Sequence, residues 1–548
     1  MNKNIRAVAL VLAVSVMFSV AGCRKDPEPT TSETTTTTEE STTATTTAET
    51  TAPSETSAVP KKGEKIEFPT GDRYHYKMDL TLNEEERTIG GHVEFTFFND
   101  SDKDWDKLCL RDYSSLFKNP TDAGYDSAVK TEGALTEITN VTDSRGSGTI
   151  EISRDKDVSV VWVPLATKLA PAEKMTLSYD FVATIPTVAD RYGVSEGVFC
   201  VTNFYPILAE YTSEGWSHAA YYSMGECFYS EISDYDVNLT LPSDMVMLST
   251  GVETGESASG SSKTITIFAE CVRDFVFCAS DRFKLVEGDY GDTHVRTAYM
   301  EEENPEGDKM EAEISLKAAI DSLAAFGTAF GEYPYKDLEV ILAPISAGGM
   351  EYPNLVIISK TYVSGGNEDS LRSQYQEMAD NVVSHEVGHQ WFMGIVGSNS
   401  GMQPWLDESF ASFTEYVYEV YVYPAKEEPA AMVIDDSGFT AVDDWTVSYK
   451  DENSVTINLP YYDYPDEWTY VSAVYWIGKD VLKRMNDILG QEQFYGIIHE
   501  YVKRNAFKNA DQTDFFKVLY EKAGTDNEEL NKVIKQFFDE KVQPSKFS

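Results

Sequence analysis

His385-Glu-Val-Gly-His389 sets two imidazoles four residues apart, with a carboxylate beside the first. On a helix, positions i and i+4 lie one above the other, so both ring nitrogens can converge on one Zn²⁺. Glu386 leans toward the same point and is placed to act as general base in a hydrolysis. A catalytic zinc needs a third protein ligand and an open fourth position. Eighteen residues separate His389 from Glu408, which lies in Trp405-Leu-Asp-Glu-Ser-Phe-Ala411 at the start of a second helical stretch. Alone, Glu408 reads as an acid favoured by a helix N-terminus. Paired with the upstream motif, it completes a His₂Glu set for one zinc ion per chain. Glu415, two turns further along the same face, either holds a ligand histidine through its other ring nitrogen or lies on the surface.

With these residues the chain resembles the aminopeptidase N family of gluzincin metallopeptidases. Three further stretches carry the likeness. Gly348-Gly-Met-Glu-Tyr352 is similar to the family's G-A-M-E-N exopeptidase motif. Tyr470-Val-Ser-Ala-Val-Tyr475-Trp-Ile-Gly478 resembles the segment supplying its transition-state tyrosine, and Phe330-Gly-Glu-Tyr-Pro-Tyr335 matches a recurrent stretch upstream. The resemblance implies zinc held by His385, His389 and Glu408. It implies Glu386 as the group that moves the proton, and Tyr475 as donor to the oxyanion, with Tyr470 an alternative or a pocket wall. Glu351 would bind the substrate's free α-amino group, beside Gly348, Gly349 and Met350. A fixed carboxylate offsets the burial of an ammonium only when one is present, so internal segments are rejected. The amides of Gly348 and Gly349 would pair with substrate as an edge strand. The chain departs from the family at Tyr352, where Asn is usual, and at Ile477, where Lys is common. Thr202-Asn-Phe-Tyr-Pro206 lacks the glutamine the family's N-terminal domain lends to the amine site.

The elements that must position these residues fall into two halves. From about Glu67 to Leu285, stretches such as His92–Phe98, Ser159–Val163 and Tyr235–Leu241 alternate β-branched or aromatic residues with polar ones, between turn signals. They predict a large antiparallel sheet or sandwich. Beyond Tyr299 the period turns helical. Helices are expected over Ala312–Phe326, Gln374–Met393, Glu408–Val420, Val471–Leu489, Glu492–Arg504, Thr513–Ala523 and Asn527–Phe538, with a strand at Leu338–Leu342. The expected fold is multidomain α+β: an N-terminal β-sandwich-like domain over residues 65–298, then a thermolysin-like, mostly helical zinc domain over 299–548.

Residues 1–23 read as an export leader. Lys3 and Arg6 precede the apolar run Ala7–Val20, which is too short to span a bilayer, and Val20-Ala-Gly-Cys23 resembles a bacterial lipobox. Cys23 would carry the lipid, the membrane being reached through it alone, and the protein would sit on the extracellular face of a bacterial cell membrane. Residues 24–64 form a Thr-rich stalk, with fifteen threonines from Thr30 to Thr56 and too little apolar surface to fold. Cys109, Cys200, Cys227, Cys271 and Cys278 include no C-x-x-C pair, so buried structural thiols are expected rather than a disulfide framework. The formal net charge is -46, and the stretch Arg24–Lys62 holds four basic against seven acidic residues, so the folded part carries nearly all of it. Such a surface repels phosphate backbones and excludes nucleic acid as a partner.

These features describe a zinc aminopeptidase acting on peptides with a free N-terminus. A thermolysin-like endopeptidase shares the metal site but has no use for Gly348–Tyr352. An inactive surface adhesin or binding module on the same fold has no physical reason to keep every ligand, Glu386 and Tyr475.

Overall fold

The computed structural model describes residues 63–547 except 147, 223–227, 361–367, 425–432, 436–437 and 441–455. The leader with Cys23, the stalk as far as residue 62, and Cys227 lie outside the described residues. The N-terminal part is built on a seven-stranded sheet. Its order is Val252–Ser259, Ser262–Val272, Ser233–Pro242, Tyr74–Asn83, Thr88–Phe98, Lys174–Thr184, Glu137–Asp143. Alternation in Tyr74–Asn83 buries Tyr76, Met78, Leu80 and Leu82 on one face and turns the polar residues between them outward. The sheet departs from a purely antiparallel one at a single internal pair, Tyr74–Asn83 beside Ser233–Pro242, which runs parallel. Its edge strand Val252–Ser259 is exposed along its whole length. Two four-stranded sheets pack with it, one containing Trp105–Arg111 and Val160–Leu169, the other Val198–Val201 and Phe277–Ser280.

A five-stranded sheet follows, in the order Phe283–Tyr290, Thr293–Met300, Asp337–Ala343, Leu355–Ser359, Gly349–Met350. Its hairpin 283–300 pairs with Asp337–Ala343, so a division at 298/299 falls inside a strand. Gly349–Met350 lies at the edge, antiparallel to Leu355–Ser359. The first helix, α1 (Pro305–Phe330), is longer than its periodic stretch. Asn304 caps it by accepting from the Gly307 amide, Pro305 opens it, and Gly331 at φ 112° ends it.

The two stretches expected as long helices are both interrupted. Gln374–Met393 becomes α2 (Glu368–Met378), a π turn over Ala379–Val383, and α3 (Ser384–Gly388). Beyond His389 the chain turns, with Met393 in the left-handed region at φ 110°. Next comes α4 (Trp405–Val422). Val471–Leu489 becomes the end of α5 (Glu467–Val471), a π turn over Ser472–Ile477, and α6 (Gly478–Leu489). A π turn inserts one residue into the hydrogen-bond ladder and rotates the next turns of helix about the axis, which is why such turns recur at functional sites. Helices α7 (Gln491–Asn505), α8 (Gln512–Ala523) and α9 (Glu528–Phe537) lie within two residues of their expected bounds. Cys109, Cys200, Cys271 and Cys278 are buried free thiols. Among the described residues no helix is long and apolar enough to cross a membrane.

Candidate metal centre

Helix α3 carries the two histidines and α4 the third ligand, and the two helices must touch for the three to meet. Gly388 makes that contact possible: a Cβ there would stand 2.1 Å from Thr414 Oγ1 on α4. His385 Nε2 and His389 Nε2 lie 3.2 Å apart. Glu408 Oε2 is 3.3 Å from the first and 3.4 Å from the second. Four-coordinate zinc with bonds of about 2.0–2.1 Å has ligand–ligand edges of about 3.3–3.4 Å, so the triangle has the size of one tetrahedral face.

The outer partners fix which ring nitrogens carry hydrogen. His385 Nδ1 faces Glu415 Oε1 at 2.9 Å. His389 Nδ1 faces Asp407 Oδ1 at 2.6 Å and the Phe392 carbonyl at 3.1 Å. Carboxylates and carbonyls only accept, so each Nδ1 is the donor and each Nε2 presents a lone pair. Two lone pairs and a carboxylate oxygen thus point into one small space, an arrangement that calls for a cation. The electrostatics agree in sign: with no ion bound, the same surroundings favour a proton on each imidazole, which a metal displaces to reach the Nε2 lone pairs. Burial pulls the His385 pKa down, but the hydrogen bonds of Glu408 and Glu415 outweigh it and hold the imidazole up at about 9. Burial pushes Glu408 up, yet His389 and then His385 keep its carboxyl well below the usual range. The donor set fits zinc: two imidazoles and one carboxylate, with a buried outer shell already in place.

Glu415 answers the choice left by the sequence. It holds His385 and accepts from Lys479 Nζ at 2.6 Å, so it belongs to the site. Asp407 was not singled out in the sequence, although it is fully buried, grips His389 and accepts from Ser400 Oγ at 2.6 Å. Its signal was an acid one residue before a ligand, on the helix face turned toward α3.

Glu386 is buried, and burial raises its carboxyl to about 7. It packs against the edge strand so closely that a Cβ on Gly349 would lie 2.1 Å from Glu386 Oε1. The Gly348 carbonyl accepts from the Ser359 amide at 2.8 Å, which anchors the strand's start. Met350 is buried, its sulfur 3.3 Å from Arg191 Nη1. Glu351, also buried, brings a carboxylate within 4.8 Å of donor atoms of His389 and Asp407. Gln390, missed in the sequence, ties this strand to the histidine segment: its Nε2 donates to the Tyr352 carbonyl at 3.1 Å and its Oε1 accepts from the Asn354 amide at 2.9 Å.

The two tyrosines are distinguished by place. Tyr475, in the second π turn, lies nearly parallel to the His385 ring, 11° apart in plane with centroids at 6.0 Å, and is half-buried. Tyr470 is buried behind it, edge-on to Tyr461 and Tyr464. At the other departure, the Tyr352 hydroxyl donates to Asn203 Oδ1 at 2.7 Å, while Asn203 Nδ2 donates to Asp274. The segment 202–206 therefore meets, through Tyr352, the chain just beyond the strand Gly349–Met350.

The Peptidase family M1 domain matches residues 314–540. Aminopeptidase M1-B of Oryza sativa subsp. japonica is 25% identical over 294 residues, covering 53% of this chain and 32% of that protein. Aminopeptidase A of Gloydius brevicauda is 33% identical over 199 residues, covering 35% of this chain and 20% of its own length. The chain thus spans a third or less of these curated relatives. Among solved structures, an M1 zinc metallopeptidase from Deinococcus radiodurans aligns over 87% of this chain and 95% of that one, with TM-score 0.55 and 17% identity. A mutant of it bound to a Tyr-Ser-Ala substrate gives TM-score 0.55 at 16% identity, covering 86% of this chain and 96% of that one. The likeness to these structures is one of fold.

Proposed function

We propose that this chain, a member of peptidase family M1 through residues 314–540, is a zinc-dependent aminopeptidase that removes N-terminal residues from peptides. The carrying observation is the three-atom triangle of His385, His389 and Glu408, with the Glu386 carboxylate close by against Gly349 and the Glu351 carboxylate within 4.8 Å of a His389 ring nitrogen. Zinc bound there supplies a Lewis acid that polarises water and the scissile carbonyl.

The chain's own groups do the rest. Glu351 pairs with the substrate α-ammonium, which orients the first peptide bond and rejects chains lacking a free amine. The edge strand Gly349–Met350 lines the backbone of that first residue. Glu386 takes a proton from the attacking water and returns it to the leaving amine. Tyr475 donates its phenol to the oxyanion, a contact worth about 3–4 kcal/mol in comparable sites. Asp407 and Glu415 keep both imidazoles in the metal-binding tautomer.

The leader ending at Cys23 and the Thr-rich stretch after it support a lipid-anchored enzyme tethered outside the cell membrane. Hydrolysis of unblocked against N-acetylated aminoacyl anilides, with and without a chelator, tests the activity. Chelator-sensitive cleavage of the unblocked substrate alone is expected. Cleavage of the blocked one would make the protein an endopeptidase, and none on either would make it a binding module.

A further inference from the structure

Away from the metal centre, the β domain holds a cavity of about 250 Å³ with an aromatic lining. Trp105 is buried beneath it, with Tyr211 and Trp216 of a short hairpin packed on it at ring-centroid distances of 5.2 and 4.6 Å. The indole N–H groups are engaged. Trp105 Nε1 donates to Ser101 Oγ at 2.9 Å and Trp216 Nε1 to the Lys107 carbonyl at 3.0 Å. Trp105 is covered by the other two rings, so it is the half-buried Tyr211 and Trp216 that line the cavity with partly open π faces, which carry negative quadrupole density. The strand Trp105–Arg111 slips its register against Val160–Leu169 between Trp105 and Lys107, the kind of bulge that re-aims side chains at binding sites.

Asp104, Asp106 and Glu214 line the cavity and are exposed. Among the described residues their carboxylates make no hydrogen bond or ion pair. The one ammonium lining the cavity, Lys107 Nζ, sits 3.6 Å from the centroid of the Trp162 ring rather than on an acid. The protein's own cation thus displays the chemistry that these walls favour, and the cavity sets three carboxylates against that one ammonium, with His218 the other titratable side chain of its lining. A neutral sugar would gain from the ring faces but leave that charge excess uncompensated. A cation gains from both.

We propose that this cavity binds an organic cation, an ammonium or guanidinium group, seated on the aromatic faces with Asp104, Asp106 and Glu214 as its counter-charges. The cation comes either as a free amine or as a basic side chain of a peptide. The proposal stands independently of the peptidase reading, since no residue of the cavity belongs to the metal centre.

Calorimetric titration of the full chain tests it with three probes: N-acetyl-L-arginine amide, an N-acetylated hexapeptide with one central arginine, and methyl α-glucoside. Saturable binding of the arginine probes is expected, weakening as salt rises. A tighter hexapeptide identifies a peptide source, and equal affinities identify a free cation. Trp216→Ala should weaken binding about tenfold. Because that change also loosens the packing on Trp105, Asp106→Asn with Glu214→Gln serves as a second variant on exposed positions and should weaken binding severalfold. A wild-type circular-dichroism spectrum and thermal midpoint show that each variant is folded. No binding of either arginine probe, binding indifferent to both variants, or binding of the glucoside alone would overturn the proposal.

Discussion

Asp407 offers the sharpest test of how the metal centre is held. Asp407→Asn keeps the shape of the side chain. Its oxygen still accepts from His389 Nδ1, now 2.6 Å away, and its amide donates to Ser400 Oγ, which can reverse its role from donor to acceptor. Only the negative charge is lost. A net hydrogen bond to a charged group contributes about 1.5–3 kcal/mol and a neutral one about 0.5–1.5, a difference of about 1–1.5 kcal/mol. At about 1.4 kcal/mol per decade, zinc affinity should fall about 5–12-fold. Asp407→Ala removes the acceptor as well, leaving His389 Nδ1 with the Phe392 carbonyl at 3.1 Å, and should cost up to about 100-fold. Zinc Kd values from competition with a chromogenic chelator measure both. The order wild type, Asn, Ala follows from the geometry. Equal affinities across the three would refute the claim that Asp407 sets the ligand tautomer, and an Asn variant weaker than Ala would show that shape matters more than charge.

Gly349→Ala drives a methyl into the Glu386 carboxylate, 2.1 Å from Oε1. It should lower kcat by about 10²–10³-fold, while chelator competition reports unchanged zinc affinity. Glu351→Ala should raise KM for free-amine substrates strongly; an unchanged KM would remove it from the amine site. For Asp274, burial outweighs the bonds from Tyr205 and the Phe275 amide and lifts the carboxyl to about 7, above the unfolded value of about 3.9. The native state then holds a proton that the unfolded chain lacks between those values, so stability is lost as pH rises through that window. Asp274→Asn should therefore gain on wild type in denaturant midpoint between pH 5 and pH 8, and a pH-independent difference would discard this account. The charge of -46 predicts that kcat/KM for basic peptides drops with salt more steeply than for neutral ones.

The parts of the site that the sequence makes legible are those held by local spacing. His385 and His389 share a helix face whatever surrounds them, and the distance to Glu408 requires a second helix to return beside α3. The β half was legible because alternation in stretches such as His92–Phe98 is a property of one strand. The missed features depend on contacts between segments far apart. A strand does not announce its neighbour, so the parallel pairing of Tyr74–Asn83 with Ser233–Pro242 was invisible. Both π turns lie in sequences whose apolar period remains helical, since one inserted residue displaces the pattern by less than a third of a turn. Asp407 and Gln390 looked like neighbours of ligands, and only the approach of α4 and of the strand at Gly349 gives them partners.

The β domain is also a structural component of the metal site. Arg273, just past the end of a strand of its seven-stranded sheet, is buried and reaches into the helical domain. Its Nε donates to the carbonyls of Met393 at 2.7 Å and Gly394 at 3.2 Å, and its Nη2 to the Lys508 carbonyl at 2.8 Å. A buried guanidinium needs such acceptors, because an uncompensated charge is costly to remove from water. Met393 needs the grip as well. At φ 110° it occupies a region that costs a residue with a side chain on the order of 1–3 kcal/mol, and such strain persists only where the surroundings over-determine it. The turn so fixed begins at Phe392, whose carbonyl accepts from His389 Nδ1. The second tether, Tyr352 to Asn203, fastens the segment that follows the strand Gly349–Met350 and carries Glu351 to the same domain. The orientation of His389 and the segment carrying Glu351 are thus both braced from outside the helical domain, and residues 314–540 alone lack these contacts.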